Sequence, residues 1–175
     1  MVTAVIAGFR KRGFDASILP PNATGGQIMT VMEAGITPAG EGVDGVVWSI
    51  LGQTYKPKQE SDSCFTFETL FPAGTFVPPH IHATQDEFIY VLGGTFDLLL
   101  DGQKTQAGIG DLVRMPMGIP HGIFNNSGKD VKALFWVSPA RSLRQLFEKI
   151  HNVADPAEVV RLAAQHEVEF LPPPD

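Results

Sequence analysis

Two histidines and a glutamate stand close together in Gly74 to Gly94, GTFVPPHIHATQDEFIYVLGG, and this stretch limits what the chain can become. Its apolar runs are short and are separated by the polar turn Ala83-Thr84-Gln85-Asp86, so it reads as a strand, a turn and a returning strand. His80 and His82 are two residues apart. Side chains alternate along a strand, so both imidazoles point to one face. Glu87 opens the returning run Phe88-Ile89-Tyr90-Val91-Leu92, which would carry its carboxylate back beside the histidines. Two neutral imidazoles and a carboxylate on rigid strands make a metal site with positions left open for substrate. Taken alone, a His-x-His pair before a turn is equally what two ordinary surface histidines look like.

A second stretch, Gly110 to Asn125, GDLVRMPMGIPHGIFN, supplies a third histidine, His121, just past a Pro-x-Gly turn. The chain therefore carries Gly74-x5-His80-x-His82-x4-Glu87-x6-Gly94, then Gly110-x5-Pro116-x-Gly118-x2-His121-x3-Asn125. Both patterns resemble the two signature motifs of the cupin family, with every fixed position filled and every spacing kept. The fifteen residues between them, Thr95 to Ile109, resemble the short linker of compact bacterial one-domain members. The resemblance implies an all-β fold, a single cupin barrel (a double-stranded β-helix or jelly roll). It also implies that His80, His82, Glu87 and His121 are the ligands of one divalent metal ion per chain. Imidazole and carboxylate suit iron, manganese, nickel, cobalt and zinc alike.

Composition agrees with a folded domain. With 175 residues the chain is long enough to bury a core, and 43% hydrophobic against 18% charged residues argues against disorder. Eighteen glycines and fourteen prolines fit many short strands joined by tight turns. A formal charge of −6 without a basic stripe argues against nucleic acid as the partner. The one cysteine, Cys64, excludes an internal disulfide framework and reads as a small core or surface residue. No stretch reaches the roughly 18 to 20 apolar residues that cross a bilayer, and the opening MVTAVIAGFRKRG has its apolar and basic parts in the reverse of secretory order. A cytoplasmic protein is expected.

Three segments are expected: an N-terminal arm with short strands at 1–45, the barrel at 46–140, and C-terminal helices with a tail packed on the barrel at 141–175. In the arm, Val2–Phe9 and Ile28–Met32 read as short elements around the loop Pro20–Gly26, and no helix-turn-helix pattern appears. Val46–Leu51 reads as a strand, Lys56–Asp62 as a charged loop carrying a proline, and Ser63–Leu70 as a half-buried strand. Asp101-Gly102 is a two-residue hairpin turn between Phe96–Leu100 and Gln103–Ala107. Val131 to Ser138 alternates cleanly. After Pro139 the period turns helical, with Leu143, Leu146, Phe147 and Ile150 on one stripe of a helix over Ser142–Asn152. Asp155-Pro156-Ala157-Glu158 starts a second helix that runs to about Glu167, and Leu171–Pro174 is an extended tail. His151 and His166 read as surface residues on these helices. The arm's apolar residues Val2, Val5, Ile6 and Phe9 have no obvious place in one barrel. A homodimer is expected in which residues 1–20 reach the partner.

Three histidines and a carboxylate leave two positions on an octahedral ion, adjacent if the ligands come from one wall. Such a centre suits a small-molecule substrate that chelates through oxygens, or one substrate oxygen and dioxygen. Glu87 is either a plain ligand or also a catalytic base. Phe67, Phe76, Ile89, Ile123 and Trp136 are candidates for the apolar pocket wall, Phe76 because its strand parity matches that of His80 and His82. Arg114 is the one charge in an apolar strand and is expected to pair with Glu68 or Asp111. The chain looks most like the bacterial one-domain proteins related to quercetin dioxygenase. That resemblance implies a metal-dependent dioxygenase acting on an enolisable or aromatic, flavonol- or polyketide-like substrate. The same ligand set also occurs in isomerases, polyketide cyclases, lyases and decarboxylases, and a cupin can be a small-molecule-binding module without turnover.

Overall fold

Period-two alternation is the rule that builds this molecule. In Val131–Ser138, every second side chain is buried and the rest are half-buried, so one face of the strand meets the core. The computed structural model describes residues 33–172, and the elements expected within residues 1–32 lie outside them. In chain order the strands are β1 (Trp48–Ile50), β2 (Gln53–Ser61), β3 (Cys64–Phe71), β4 (Phe76–His82), β5 (Asp86–Gly93) and β6 (Thr95–Leu100). There follow β7 (Gln103–Gly108), β8 (Leu112–Met115), β9 (His121–Phe124), β10 (Val131–Ser138), the helices α1 (Leu143–Ile150) and α2 (Pro156–Ala164), and β11 (Val168–Phe170). A six-stranded sheet in the order β1-β2-β3-β10-β5-β8 faces a five-stranded sheet in the order β11-β4-β9-β6-β7. All neighbours are antiparallel. This is the all-β cupin fold, with a C-terminal helical segment.

The Asp101-Gly102 turn is where expected, and both residues have the positive φ, +48° and +74°, that a tight hairpin with right-handed twist requires. Gly94, which closes the first motif, has φ +83°. A Cβ there would stand 2.8 Å from Val131 Cγ2 and 3.0 Å from the Asp130 carbonyl, so the position needs glycine twice over. Three expectations change. Lys56–Asp62 is mostly strand, because Pro57 sits at a bulge where no ladder N–H is needed and the lysines alternate outward. β4 and β5 do not form a hairpin: after the polar turn the chain crosses to the opposite sheet. The second helix ends at Ala164, and Val168–Phe170 returns as a strand on the edge of β4.

Aromatic rings fill the interior. Phe67 stacks on Phe135 at 5.5 Å, and Phe71 meets Phe96 edge-on at 5.1 Å. Phe147 from α1 sits among four aromatic rings, 5.8 Å from Trp48, 5.0 Å from Tyr55, 6.1 Å from Phe65 and 5.0 Å from Phe67. The apolar stripe expected on this helix is therefore a wall of the core, and all four of its members are buried. The second helix begins as expected, with the Asp155 carboxylate accepting from the Ala157 N–H and Pro156 in the first turn. Replacing Phe147 by alanine removes the ring common to these contacts. It is expected to cost about 3 to 5 kcal/mol in denaturant unfolding.

Candidate metal centre

The four motif residues meet in space. His80 and His82 project from β4, His121 from β9 beside it, and Glu87 from β5 in the facing sheet. His80 and His121 are direct cross-strand partners. One ligand atom from each residue lies within 4.8 Å of all the others, and all four side chains are buried. The ligands thus come from both walls of the sandwich, not from one.

The backbone fixes which nitrogen each imidazole offers. Nδ1 of His80 lies 2.8 Å from the Pro78 carbonyl, and Nδ1 of His121 lies 2.9 Å from the Ile119 carbonyl. A carbonyl can only accept, so both Nδ1 atoms carry a proton and Nε2 is the nitrogen that each ring turns toward the centre. His82 is fixed by Gln85. The Gln85 amide nitrogen donates to the carbonyls of Pro139 and Ala140, at 3.0 and 2.7 Å, which turns its oxygen to within 3.1 Å of His82 Nδ1. All three Nε2 atoms then face Glu87 Oε2, at 3.0 Å from His121, 3.6 Å from His82 and 4.0 Å from His80. Two donors about 2.1 Å from one ion stand about 3 Å apart at a right angle and about 4.2 Å apart when opposed. The observed separations fit a divalent ion held by all four residues.

The electrostatics are those of a buried carboxylate among imidazoles. Burial by itself would raise the Glu87 pKa, but His82, His121 and His80 outweigh it and hold it down to about 2. Burial and the neighbouring imidazoles of His121 and His82 push His80 down to about 3, against the opposing pull of Glu87 and Pro78. His121 is also penalised by burial, yet its hydrogen bond to Glu87 leaves its pKa raised.

Beside the centre lies a cavity of about 90 Å³. Of the expected wall residues, Phe67 and Ile123 line it. Ile89 is fully buried in the core but is not part of this wall. Trp136 stands on the outer face of β10, its ring stacked on Phe88 at 5.1 Å. Phe76 borders the cavity, but it is half exposed and its ring stacks on Phe124 at 5.9 Å, outside the barrel. The reason is a bulge between Val77 and His80, which spends one extra residue at Pro78-Pro79 and reverses the parity that would have turned Phe76 inward. Val77 faces inward in its place, paired with Ile123. Arg114 is exposed and, among the described residues, makes no ion pair; Glu68 instead meets Lys132 at 3.2 Å and Lys58 at 4.0 Å. His166, expected at the surface, is buried, with Nε2 3.0 Å from Lys149 Nζ. His151 is half-buried and accepts the Ser49 N–H.

Several site residues escaped the sequence reading. Gln85 looked like part of a polar turn, and only its contacts show that it orients His82. Gln53, Tyr55, Phe135, Phe147 and Phe170 line the cavity, and the Phe170 ring lies 5.4 Å from that of His80. The stripe of α1 was visible as a helix pattern, but a stripe does not say what it covers.

Residues 67–137 match the family model described as a cupin domain. No curated protein matches the chain. Among solved structures, KdgF from Halomonas sp. is 26% identical, with a TM-score of 0.50 over 53% of this chain and 84% of that one. An RmlC-like cupin from Shewanella frigidimarina NCIMB 400 is 19% identical, with a TM-score of 0.55 over 62% of this chain and 94% of that one. This second likeness is one of fold. No described helix is long and apolar enough to cross a membrane.

Replacing His80, His82 or His121 singly by alanine is expected to remove most of the metal bound per chain, measured by elemental analysis. Gln85→Leu keeps all four ligands but frees the His82 ring, and is expected to weaken metal binding about 10- to 100-fold. A pH dependence follows for the metal-free protein. Below its ordinary value of 6.5, unfolded His80 takes up a proton that the folded chain refuses until about pH 3. Stability is therefore lost as the pH falls through that window. Glu87 adds a further loss between its ordinary 4.5 and about 2, whereas His121, shifted the other way, favours the folded state below its raised value. Melting temperature against pH is expected to fall more gently in His80→Gln.

Proposed function

We propose that this chain, whose residues 67–137 match a cupin domain, is a metal-dependent enzyme, a dioxygenase acting on a small enolisable or aromatic substrate. The observation that supports this reading is the convergence of three Nε2 lone pairs and one carboxylate on a mostly apolar cavity. In this reading His80, His82, Glu87 and His121 hold one divalent ion, which would supply Lewis-acid stabilisation to the oxygen anion of a bound enol.

The chain's own residues do the rest. His80, His82 and His121 are aimed by oxygen atoms that hold their Nδ1 sides, so each can offer Nε2 to the ion without having to rearrange. Glu87 stays ionised across the neutral range and borders the cavity, where it can accept a proton from a substrate hydroxyl. The aromatic and aliphatic wall from β3, β10 and α1 excludes water and so strengthens every charge interaction at the centre. The cavity's size bears on the substrate. At about 90 Å³ it has room for roughly six to nine water-sized groups. That favours a compact substrate over a three-ring flavonol. It also gives weight to a second reading, non-oxidative chemistry of the isomerase, cyclase, lyase or decarboxylase kind on an equally small molecule.

Oxygen-electrode assays of metal-loaded protein with small enolisable compounds test the first reading: uptake is expected in step with product, and turnover without uptake would favour the second. Glu87→Gln, refilled to full metal content, is expected to lose about 10²-fold or more in turnover if Glu87 is the base. Part of that loss is expected to return at higher pH for substrates acidic enough to arrive as anions. Turnover close to wild type at equal metal content would leave Glu87 as a ligand alone.

A further inference from the structure

The cavity wall holds a second polar group besides the metal ligands, and we propose that it selects the substrate: Gln53 and Tyr55 together present a neutral hydrogen-bond acceptor. Resting on the metal-enzyme reading above, this assigns a compact substrate that carries both an oxygen anion for the metal and an uncharged hydroxyl or N–H donor for Tyr55.

The polarity of this group follows from a chain of hydrogen bonds with one consistent direction. Gln53 is buried, and its Nε2 donates to the Phe76 carbonyl at 2.8 Å. That carbonyl can only accept, so the amide cannot be flipped, and Gln53 Oε1 must face the other way. There it accepts from the Tyr55 hydroxyl. A phenol has a single proton, and this one is committed. What remains on the Tyr55 oxygen is lone-pair capacity. The ring cannot turn away to change this, since it is wedged between Phe67, Phe71 and Phe147 at 5.9, 6.2 and 5.0 Å. Burial, with the negative charge of Glu87 as a smaller cause, raises the Tyr55 pKa, so the phenol stays neutral.

The remainder of the wall narrows the ligand further. Among the described residues lining the cavity there is no lysine and no arginine. A phosphate or a second carboxylate beside Tyr55 would be desolvated without a counter-charge. A ligand group that only accepts would set lone pair against lone pair. A hydroxyl or N–H donor satisfies the oxygen, and a site built to bond such a group rejects analogues that lack it.

The test uses the full chain loaded with Co²⁺ and two pairs of probes nearly matched in size, 3-hydroxypropionate against 3-fluoropropionate and 4-hydroxybutyrate against 4-fluorobutyrate. Fluorine is similar in size to a hydroxyl but carries no proton to donate. Binding is read by calorimetry and by the visible spectrum of cobalt. In at least one pair the hydroxyl compound is expected to bind about 2- to 12-fold more tightly, the worth of one net hydrogen bond. Tyr55→Phe keeps the ring and is expected to bring that ratio to about one with the bound cobalt unchanged. Gln53→Met releases the Tyr55 proton to turn toward the ligand and is expected to shrink the preference. Fluoro compounds that bind wild type as well as or better than hydroxyl compounds would overturn the assignment. So would a preference that survives in Tyr55→Phe, or failure of all four probes to bind cobalt-loaded protein. A chain that holds no cobalt at all would instead overturn the metal reading on which the assignment rests.

Discussion

A buried carboxylate from one sheet facing three imidazoles from the other is the contact on which this structure turns. Glu87 could not remain ionised in the core without His82, His121 and His80 around it, and the imidazoles could not converge without carbonyl oxygens to hold their far nitrogens. Each half is costly alone. Together they place a negative charge and three lone pairs around one point, an arrangement a divalent cation would complete.

Much of the surrounding fold keeps that point fixed. Pairing of β11 with β4 sets Val168 against His82 and Phe170 against His80, so the C-terminal strand braces the ligand strand from its open edge. The Gly118 N–H donates to the His82 carbonyl, and the Met117 N–H to Asp86, which ties the turn before His121 to both sides of the turn between β4 and β5. Helix α1 then places Phe147 and its stripe against the aromatic core that forms the cavity's wall. Support for the site and the shape of the space beside it come from the same C-terminal elements. A change in α1 should therefore be felt in the cavity as well as in stability.

Within the cavity, polar groups are few and each has a defined direction. The imidazoles turn their Nε2 atoms toward Glu87, Gln85 orients one of them, and Gln53 commits the only proton of Tyr55. Directed hydrogen bonds of this kind cost little once folded, because buried donors and acceptors must be satisfied in any case. They also leave little room for a substrate of the wrong polarity.

Sequence spacing determined most of the strands, the tight Asp101-Gly102 turn and the helix stripes, and the resemblance to the cupin motifs pointed to the four residues that meet at the centre. These depend on local rules: period two, period 3.6, turn chemistry and fixed motif distances. Other features depended on what lies opposite in space. The Pro78-Pro79 bulge reversed the parity of Phe76. Trp136 went to the outside because Phe135 and Val137 took the inside. Gln85 became the support of His82 only because the carbonyls of Pro139 and Ala140 arrive beside it from more than fifty residues away. Tyr55 and Gln53 were unremarkable members of a strand until the fold brought them to the cavity that Glu87 also borders. Which residues could be ligands was written in the chain; which way each polar group points, and what closes the space around them, was decided by packing between segments that no local pattern relates.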